Sequence, residues 1–357
     1  MDKNIETYIK EKIQTNGPIN IEEFMSISLN DKNSGYYIKS SPIGKDSDFI
    51  TAPEISQMFG ELIAIWLLDA WDKIGRQKIN IIELGPGNGL LMQDIVRVAK
   101  KFPIFFKKIS LWLYDINESL SKIQDKNIEH KFERINSLEK LPNGINFIIA
   151  NEFFDAIPIR QYIFDRGYWN ERLIDVNKKG DFCLIKRKLT ANQVKNLDLP
   201  EYIYPSSKVF ETSPKQDKIF NLLIKNISLS GGLLIFDYAK IVDGFGDTLQ
   251  AISNHQKKSI FFTPGKTDLT AHVNYHRYIQ LAKNNDLSYY GPTKQSSFLE
   301  GMGIVNRYES LRKNASDKEK EILYRQFHRL MDSDKMGSLF KVIYFSNNKL
   351  TAPPPMI

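Results

Sequence analysis

The chain has 357 residues, of which 42% are hydrophobic and 25% charged, a composition typical of globular proteins that argues against intrinsic disorder. Its length exceeds one typical domain, so we expect a core domain with large insertions or two domains. The net charge of +7 is spread over interrupted lysine runs such as KKFPIFFKK, which argues against nucleic acid as a partner.

The sequence also lacks the features of exported and membrane-inserted proteins. Cys183 is the single cysteine, which excludes an intramolecular disulfide and a cysteine-rich zinc site, and we predict no metal. The longest apolar segment, 62–71, is interrupted by Asp69 and is too short to span a bilayer. The N-terminal residues contain acids and no arginine, unlike a transit peptide. We therefore expect a cytoplasmic protein without membrane insertion, and the abundance of Lys, Asn and Ile suggests a bacterial gene.

Residues 1–75 are predicted to form an N-terminal region of helices and loops. Helices are expected at 5–14 and from about Asn20, followed by an ordered loop through SGYYIKSSPIGKDSDFI. Thr51 and Glu54 form a capping box, and the apolar pattern after them predicts one continuous helix that ends at Gly75.

The next stretch, INIIELGPGNGLLMQDIVR at 79–97, combines a short apolar run, a glycine-rich turn and an amphipathic pattern. The apolar run predicts a parallel strand buried on both faces. Gly85, Gly87 and Gly89 would allow backbone N–H groups and a helix N-terminus to approach a ligand closely. This arrangement indicates a nucleotide-type cofactor site, although ordinary strand-to-helix turns also use glycine.

The spacing of these glycines distinguishes two cofactor classes. A dinucleotide fingerprint needs a glycine where Leu90 stands. The pattern is instead E-x-G-x-G-x-G, beginning at Glu83 and including Pro86, which is the form found in methyltransferases that use S-adenosylmethionine (SAM). We therefore predict a SAM site.

A second strand is predicted at 109–114, and it ends at Asp115. An acidic residue in this position can accept hydrogen bonds from both ribose hydroxyls of a nucleoside. The alternative is an exposed aspartate with no role beyond ending the strand.

Further strands are predicted at 130–135 and 145–151, and the latter leads directly into NEFFDAIPIRQY. Ligands of open α/β sheets bind beyond the carboxyl ends of the strands, so Asn151, Glu152 and Asp155 should converge with the glycine turn. Two carboxylates beside two phenylalanines are costly to bury without a purpose. The alternative is a capped turn in which Asp155 bonds local backbone.

The core is predicted to span 76–357 with two insertions. RQYIFD, YWNERLIDV and DFCLIKRKL predict three antiparallel strands in the first insertion, at about 160–210. A helix from about 214 and a fifth parallel strand, LLIFDY, follow. The second insertion, at about 239–300, should contain an ordered loop and a helix from about Val273 to Lys283. His272, where the loop meets the helix, is either a site residue or structural. Charged helices around 309–332 and a final strand, SLFKVIYFS, precede a tail expected to be loose.

Five segments together resemble the MidA-like family of SAM-dependent methyltransferases, which includes a mitochondrial complex I assembly factor that acts as a protein arginine methyltransferase. They are DFITAPEISQMFGEL at 48–62, ELGPGNGLLMQDI at 83–95, NEFFDAIPIRQ at 151–161, DTLQA at 247–251 and PGKTDLTAHVNY at 264–275. The resemblance implies an α/β class I methyltransferase: a Rossmann-like, seven-stranded, mostly parallel sheet with an N-terminal helical region and substrate-side insertions.

The resemblance also implies a function and a set of site residues. The expected reaction is methyl transfer from SAM to an arginine of a protein such as a complex I subunit; eukaryotic relatives are expected in the mitochondrial matrix. Two carboxylates could bind a guanidinium in bidentate fashion, so the predicted catalytic residues are Glu152, Asp155 and His272. Cofactor contacts are predicted for Glu83, Gly85, Pro86, Gly87, Gly89, Asp115 and Asn151.

Two other functions remain open at this point. One is a SAM-dependent methyltransferase of a small molecule or nucleic acid, because fold and cofactor do not fix the substrate. The other is an assembly chaperone in which SAM is structural and the insertions hold a partner. We also consider a homodimer.

Overall fold

The computed structural model describes residues 4–39, 50–197, 199, 209–227, 230–240, 244–253, 256–347 and 355. Most of the loop predicted at 34–50 and most of the C-terminal tail lie outside these residues. By its contacts the chain divides into two compact units. We call them the core unit, formed by Ile43–Phe154, Ile219–Ala239 and Tyr278–Ile357, and the insert unit, formed by Met1–Pro42, Asp155–Lys218 and Lys240–Arg277.

A mostly parallel sheet forms the centre of the core unit. The strand Ile79–Leu84 lies between two parallel neighbours, Ile109–Tyr114 and Ile145–Asn151, and all of its residues are buried, as its apolar sequence predicts. Phe340–Asn347 runs antiparallel to its neighbours. Among the described residues, the sheet has eight strands, and its main path runs through seven of them in the order Leu287–Lys294, Phe340–Asn347, Gly232–Lys240, Ile145–Asn151, Ile79–Leu84, Ile109–Tyr114 and Phe132–Arg134. This architecture confirms the predicted fold class.

Helices cover this sheet and close the hydrophobic core. The longest, Gln57–Lys73, buries Trp66 against the rings of Phe147 and Tyr344 on two strands of the sheet. The amphipathic helix Leu90–Ala99 packs beside it. The other helices that lie wholly in this unit, among the described residues, are Ala52–Ile55, Pro103–Phe106, the 3-10 helix Glu118–Leu120, Ser121–Asn127, Gln295–Gly301, Ile304–Arg312, Asp317–Met331 and Met336–Leu339.

A buried charge network ties three of these helices together. Glu61 is 5% exposed and accepts hydrogen bonds from Arg97 (2.6 Å) and from two nitrogens of Arg307 (2.6 and 2.9 Å). Arg97 also pairs with Asp94 on its own helix. A carboxylate this deeply buried needs such cationic partners, so the network fixes how the helices pack.

The insert unit has its own hydrophobic core between helices and an antiparallel sheet. The helix Ile5–Asn16 buries an isoleucine at every fourth position. The strand Tyr168–Val176 pairs antiparallel with Ile19–Asn20, Arg160–Asp165 and Phe182–Lys188, which confirms the three antiparallel strands predicted for the first insertion. Other elements of this unit include Ile21–Asn30, Tyr36–Lys39, Ala191–Asn196 and Val209–Thr212. The helices Pro214–Lys225 and Tyr275–Lys283 contain residues of both units.

The helix predicted to run unbroken to Gly75 is interrupted at Ser56. The chain forms a short helix, Ala52–Ile55, and a new one begins at Gln57. Ser56 has an extended backbone (φ −159°, ψ 137°), and its hydroxyl accepts the N–H of Met58 at 3.3 Å. Serine is a preferred N-cap residue, so the side chain that starts the second helix also breaks the first.

Two further predictions were incomplete. The second insertion, predicted as a loop and a helix, contains strands: Gln250–Ser253 pairs antiparallel with both Gln256–Lys258 and Asp268–Thr270. The strand Leu287–Lys294 is not predicted because its Gly-Pro pair is typical of a turn. Its ladder with the neighbouring strand shifts register between Tyr290 and Thr293, and this irregularity accommodates the Gly-Pro pair.

In the described residues, no helix is both long enough and apolar enough to cross a bilayer.

Candidate active site

The turn after the central strand has the tight conformation that its glycines predict. Gly85, Gly87 and Gly89 have φ values of 64°, 52° and 78°, a region that glycine adopts without steric cost. A Cβ atom at Gly85 would lie 3.1 Å from Cδ2 of Phe153. The N–H of Gly89 donates to the carbonyl of Pro86 at 2.7 Å, which closes the turn. Positive φ and this close contact with Phe153 therefore leave no room for a side chain at Gly85.

Glu83, near the end of the central strand, carries a buried carboxylate. Its side chain is 3% exposed, and Oε2 has no hydrogen-bond partner among the described residues. Burial, together with the nearby charge of Asp115, raises the pKa of Glu83 to about 8. A buried polar atom without a partner is costly, so this position suits a donor or cationic group of a ligand.

Asp115 directly follows the strand Ile109–Tyr114, and the protein holds both of its carboxylate oxygens. Oδ1 accepts the N–H of Asn117 at 2.9 Å, and Oδ2 accepts Nε2 of Gln124 at 3.0 Å. Burial raises the pKa of Asp115, and these two donors oppose the increase. A carboxylate offers about four lone-pair positions, so hydroxyl groups of a ribose can still donate to it.

The fourth predicted strand, Ile145–Asn151, ends at a strained residue. Glu152 has a φ of 51°, which is uncommon for a residue other than glycine and often marks a functional site. Its Oε1 accepts the N–H of Ala52 at 3.2 Å and Nδ2 of Asn151 at 3.3 Å. Oδ1 of Asn151 is buried and has no partner in the part of the chain that the structure describes. The carboxylate of Glu152 is thus held in a defined direction.

Two backbone contacts fix the turn that carries Glu152. Its N–H donates to the carbonyl of Phe236 at 2.9 Å, and the N–H of Phe154 donates to Oδ2 of Asp237 at 2.9 Å. Asp237 is fully buried and also accepts the N–H of Tyr238. These contacts favour a structural role for Asp237.

Asp155 and His272 both belong to the insert unit. The carbonyl of Asp155 accepts the N–H of Ala271 at 3.0 Å, which places the aspartate beside the segment that contains His272. The N–H of His272 donates to the hydroxyl of Thr248 at 3.0 Å, and that hydroxyl donates to Glu211 at 2.6 Å. Asp155 is 4% exposed. The structure therefore joins these two predicted site residues within one unit.

The structure also joins the predicted cofactor residues within the core unit, at the carboxyl ends of its parallel strands. This group consists of Glu83, Gly85, Pro86, Gly87, Gly89, Asp115, Asn151 and the predicted catalytic residue Glu152. Sequence reasoning missed Gln124, whose amide contacts both the glycine turn and Asp115. Gln124 is the buried residue of the helix Ser121–Asn127, whose sequence SKIQDKN has no apolar face, so no local pattern identifies it.

The residues present fit a nucleoside cofactor that lacks a phosphate. The glycine turn has a tight, positive-φ backbone, Asp115 has room to accept hydroxyl groups, and Glu83 and Asn151 each present a buried oxygen without a partner in the described residues. Leu90 begins the helix where a dinucleotide-binding protein would need a third glycine. A parallel sheet with an antiparallel strand near one edge and this turn at its centre defines a class I SAM-dependent methyltransferase.

Comparison with known proteins agrees with this class. Residues 62–293 match the model of a family of S-adenosyl-L-methionine-dependent methyltransferases. The chain is 30% identical to the mitochondrial protein arginine methyltransferase NDUFAF7 of Danio rerio, over 96% of this chain and 86% of that protein. It is 32% identical to the Xenopus laevis protein of the same name, over 92% and 81% of the two chains. For the Drosophila melanogaster homolog the identity is 31%, over 94% and 83%.

A solved structure has the same fold. A Burkholderia thailandensis protein bound to S-adenosyl-homocysteine is similar with a TM-score of 0.84 and 22% identity, over 97% of this chain and 92% of that one. The chain therefore belongs to the SAM-dependent methyltransferase family that matches it, and SAM is its cofactor.

Proposed function

We propose that the chain is a protein arginine N-methyltransferase, with an acceptor arginine on a subunit of respiratory complex I or a similar protein. Support comes from the relatives named protein arginine methyltransferase and from the complex I assembly factor in the family that the sequence resembles. The single observation that carries the proposal is the position of Glu152, a carboxylate aimed by two hydrogen bonds at the ligand-binding end of the sheet.

The chemistry of the acceptor explains why carboxylates are needed. Bound SAM supplies an electrophilic methyl group, and methyl transfer is an in-line displacement that depends mainly on alignment and electrostatics. A guanidinium is a poor nucleophile because its charge is delocalised. Glu152 would bind the guanidinium through charge-assisted hydrogen bonds and favour loss of a proton from the attacking nitrogen. Asp155 would bind the same guanidinium through its own carboxylate. His272 would take up the released proton.

Glutamine at position 152 tests this role without removing the local hydrogen bonds. Glu152→Gln keeps an oxygen that can accept the N–H of Ala52 but has no negative charge. We expect SAM affinity to stay nearly unchanged in calorimetry, while turnover at saturating SAM falls by about 100-fold or more, because the interaction strengthens as the nitrogen attacks. The matched control is Glu139→Gln, a change at an exposed glutamate of the core unit. Loss of SAM affinity with unchanged turnover would move Glu152 to the cofactor site.

The acceptor can be identified directly. Purified protein and isotopically labelled SAM are added to an extract of cells that lack the gene, and labelled proteins are digested and sequenced by mass spectrometry. The proposal expects label on arginine in a complex I subunit. Label on a small molecule or on nucleic acid would refute the protein substrate, and absence of any label, with SAM bound, would favour a chaperone.

Location and assembly are also proposals. The protein is expected to work in the cytoplasm of a bacterial cell. Fractionation of cells that express the tagged chain tests this location. We also propose that the chain forms a homodimer, and light scattering of the purified protein should then give twice the mass of one chain.

A further inference from the structure

The short helix Ser121–Asn127 holds the glycine turn through two side-chain amides. Nε2 of Gln124 donates to the carbonyl of Gly87 at 2.9 Å, and Nδ2 of Asn127 donates to the carbonyl of Asn88 at 2.9 Å. Residues three apart lie on the same face of a helix, so both amides reach the turn together. The two carbonyls they hold belong to neighbouring residues of the turn.

The same nitrogen of Gln124 has a second acceptor. It lies 3.0 Å from Oδ2 of Asp115, and the side chain is only 2% exposed. An amide NH₂ group has two protons, and this geometry uses both: one on the glycine turn and one on the carboxylate. Gln124 is therefore the direct link between two parts of the cofactor site that come from different strands of the sheet.

We propose that Gln124 is a positioning residue of the SAM site, which sets the spacing between the glycine turn and the carboxylate of Asp115 before the cofactor binds. The N–H of Asn117 donates to the other oxygen of Asp115, so both carboxylate oxygens are held by hydrogen bonds. Binding then requires little reorganisation, which favours affinity. The proposal concerns the cofactor alone and does not depend on the identity of the methyl acceptor.

A charged side chain at position 124 tests whether Gln124 positions Asp115 or only fills space. Gln124→Glu would place a second carboxylate beside Asp115, and two carboxylates in contact share a proton at low pH. A protonated glutamic acid can donate its one O–H to Asp115 but leaves the carbonyl of Gly87 without this donor, whereas an ionised one repels the carboxylate. The affinity of this variant should therefore fall as the pH rises. Other groups that face Asp115 are Glu83 and Arg134, and Tyr114 is the adjacent residue. These groups are the same in every variant. Dividing the affinity of each variant by that of the wild type at the same pH therefore removes their contribution to the pH dependence.

The experiment measures binding of S-adenosyl-homocysteine by calorimetry at pH 6 and pH 8.5. Gln124→Leu should weaken binding by about 10-fold or more at both pH values, as expected for loss of a hydrogen bond to a charged group. Gln124→Glu, which keeps one of the two hydrogen bonds when protonated, should bind more weakly than the wild type at pH 6, and at least about 10-fold more weakly again at pH 8.5. Gln14→Glu, a change at an exposed glutamine of the insert unit, is the matched control and should bind like the wild type.

Circular dichroism and thermal unfolding establish that each variant is folded. If Gln124→Leu does not fold, the pH response of Gln124→Glu still decides the question. Binding by Gln124→Leu within twofold of the wild type would overturn the proposal, as would a Gln124→Glu affinity whose ratio to the wild type does not change with pH.

Discussion

The buried carboxylate of Glu83 should make the cofactor-free protein less stable as the pH rises, and Glu83→Gln should remove this effect. The ordinary pKa of the side chain is 4.5, and in the folded protein the pKa is raised to about 8. Between these two values the folded protein keeps a proton that the unfolded chain has released. The contribution to stability is therefore fully present below pH 4.5 and is lost progressively as the pH rises to about 8.

The structure sets the size of this effect. Each pH unit in that window lowers the free energy of unfolding by about 1.4 kcal/mol. Over the whole window, the ionisation of Glu83 therefore lowers the free energy of unfolding by at most about 5 kcal/mol. The part between pH 6 and pH 8 is at most about 3 kcal/mol. Because Glu83 is 3% exposed, little of this is reduced by solvent screening.

Urea unfolding followed by circular dichroism measures the effect at pH 6 and pH 8. Other groups also titrate in this range, including Asp94, whose pKa burial raises to about 6. They are common to both proteins, so the difference between wild type and variant isolates Glu83. The variant should gain about 1 to 3 kcal/mol relative to the wild type between the two pH values. Equal differences at both would refute an ionisable, desolvated Glu83.

Three further predictions concern affinity, space and stability. Asp115→Ala should weaken SAM binding about 10-fold to 150-fold in calorimetry, since it removes hydrogen bonds of a charged acceptor; an affinity within twofold of the wild type would move ribose binding elsewhere. Gly85→Val should abolish SAM binding, because its Cβ would crowd Phe153 at 3.1 Å and φ at this position is 64°. Circular dichroism checks that the variant is folded, and retained binding would contradict the assignment of the glycine turn to the SAM site. Glu61→Ala should lower the free energy of unfolding by about 2 to 3 kcal/mol, less than for fully buried ion pairs because its arginine partners are 38% and 30% exposed; an unchanged urea midpoint would show that the network contributes nothing.

The sequence predicts the central strands well because their signal is local. The strands Ile109–Tyr114 and Ile145–Asn151 begin and end where predicted, since a run of apolar residues bounded by polar ones needs no information from elsewhere in the chain. The break at Ser56 illustrates the limit. A serine within an apolar helical pattern is compatible with both a continuous helix and a new N-cap, and tertiary packing decides between them.

The site shows the same limit at longer range. Parallel strands place their carboxyl ends together, so the position of Asn151 and Glu152 follows from the fold class. The hydrogen bond between Ala52 and Glu152 joins residues 100 positions apart in the chain, and no local pattern encodes it. Gln124 was missed for this reason too: a glutamine on a helix has no signature until its two acceptors, contributed by other elements, are in place.

The insert unit consists of three separate segments of the chain, so its folding follows the order in which the ribosome makes them. The helix Ile21–Asn30 buries Phe24 in a hydrophobic cluster that also contains Leu269. Leu269 leaves the ribosome about 240 residues after that helix, which takes roughly 12 to 50 s at ~5 to 20 residues per second. During this interval partners from the first insertion, such as Ile174 and Phe182, are added before those from the second. The cluster therefore forms in stages and is complete only after Leu269 has been added.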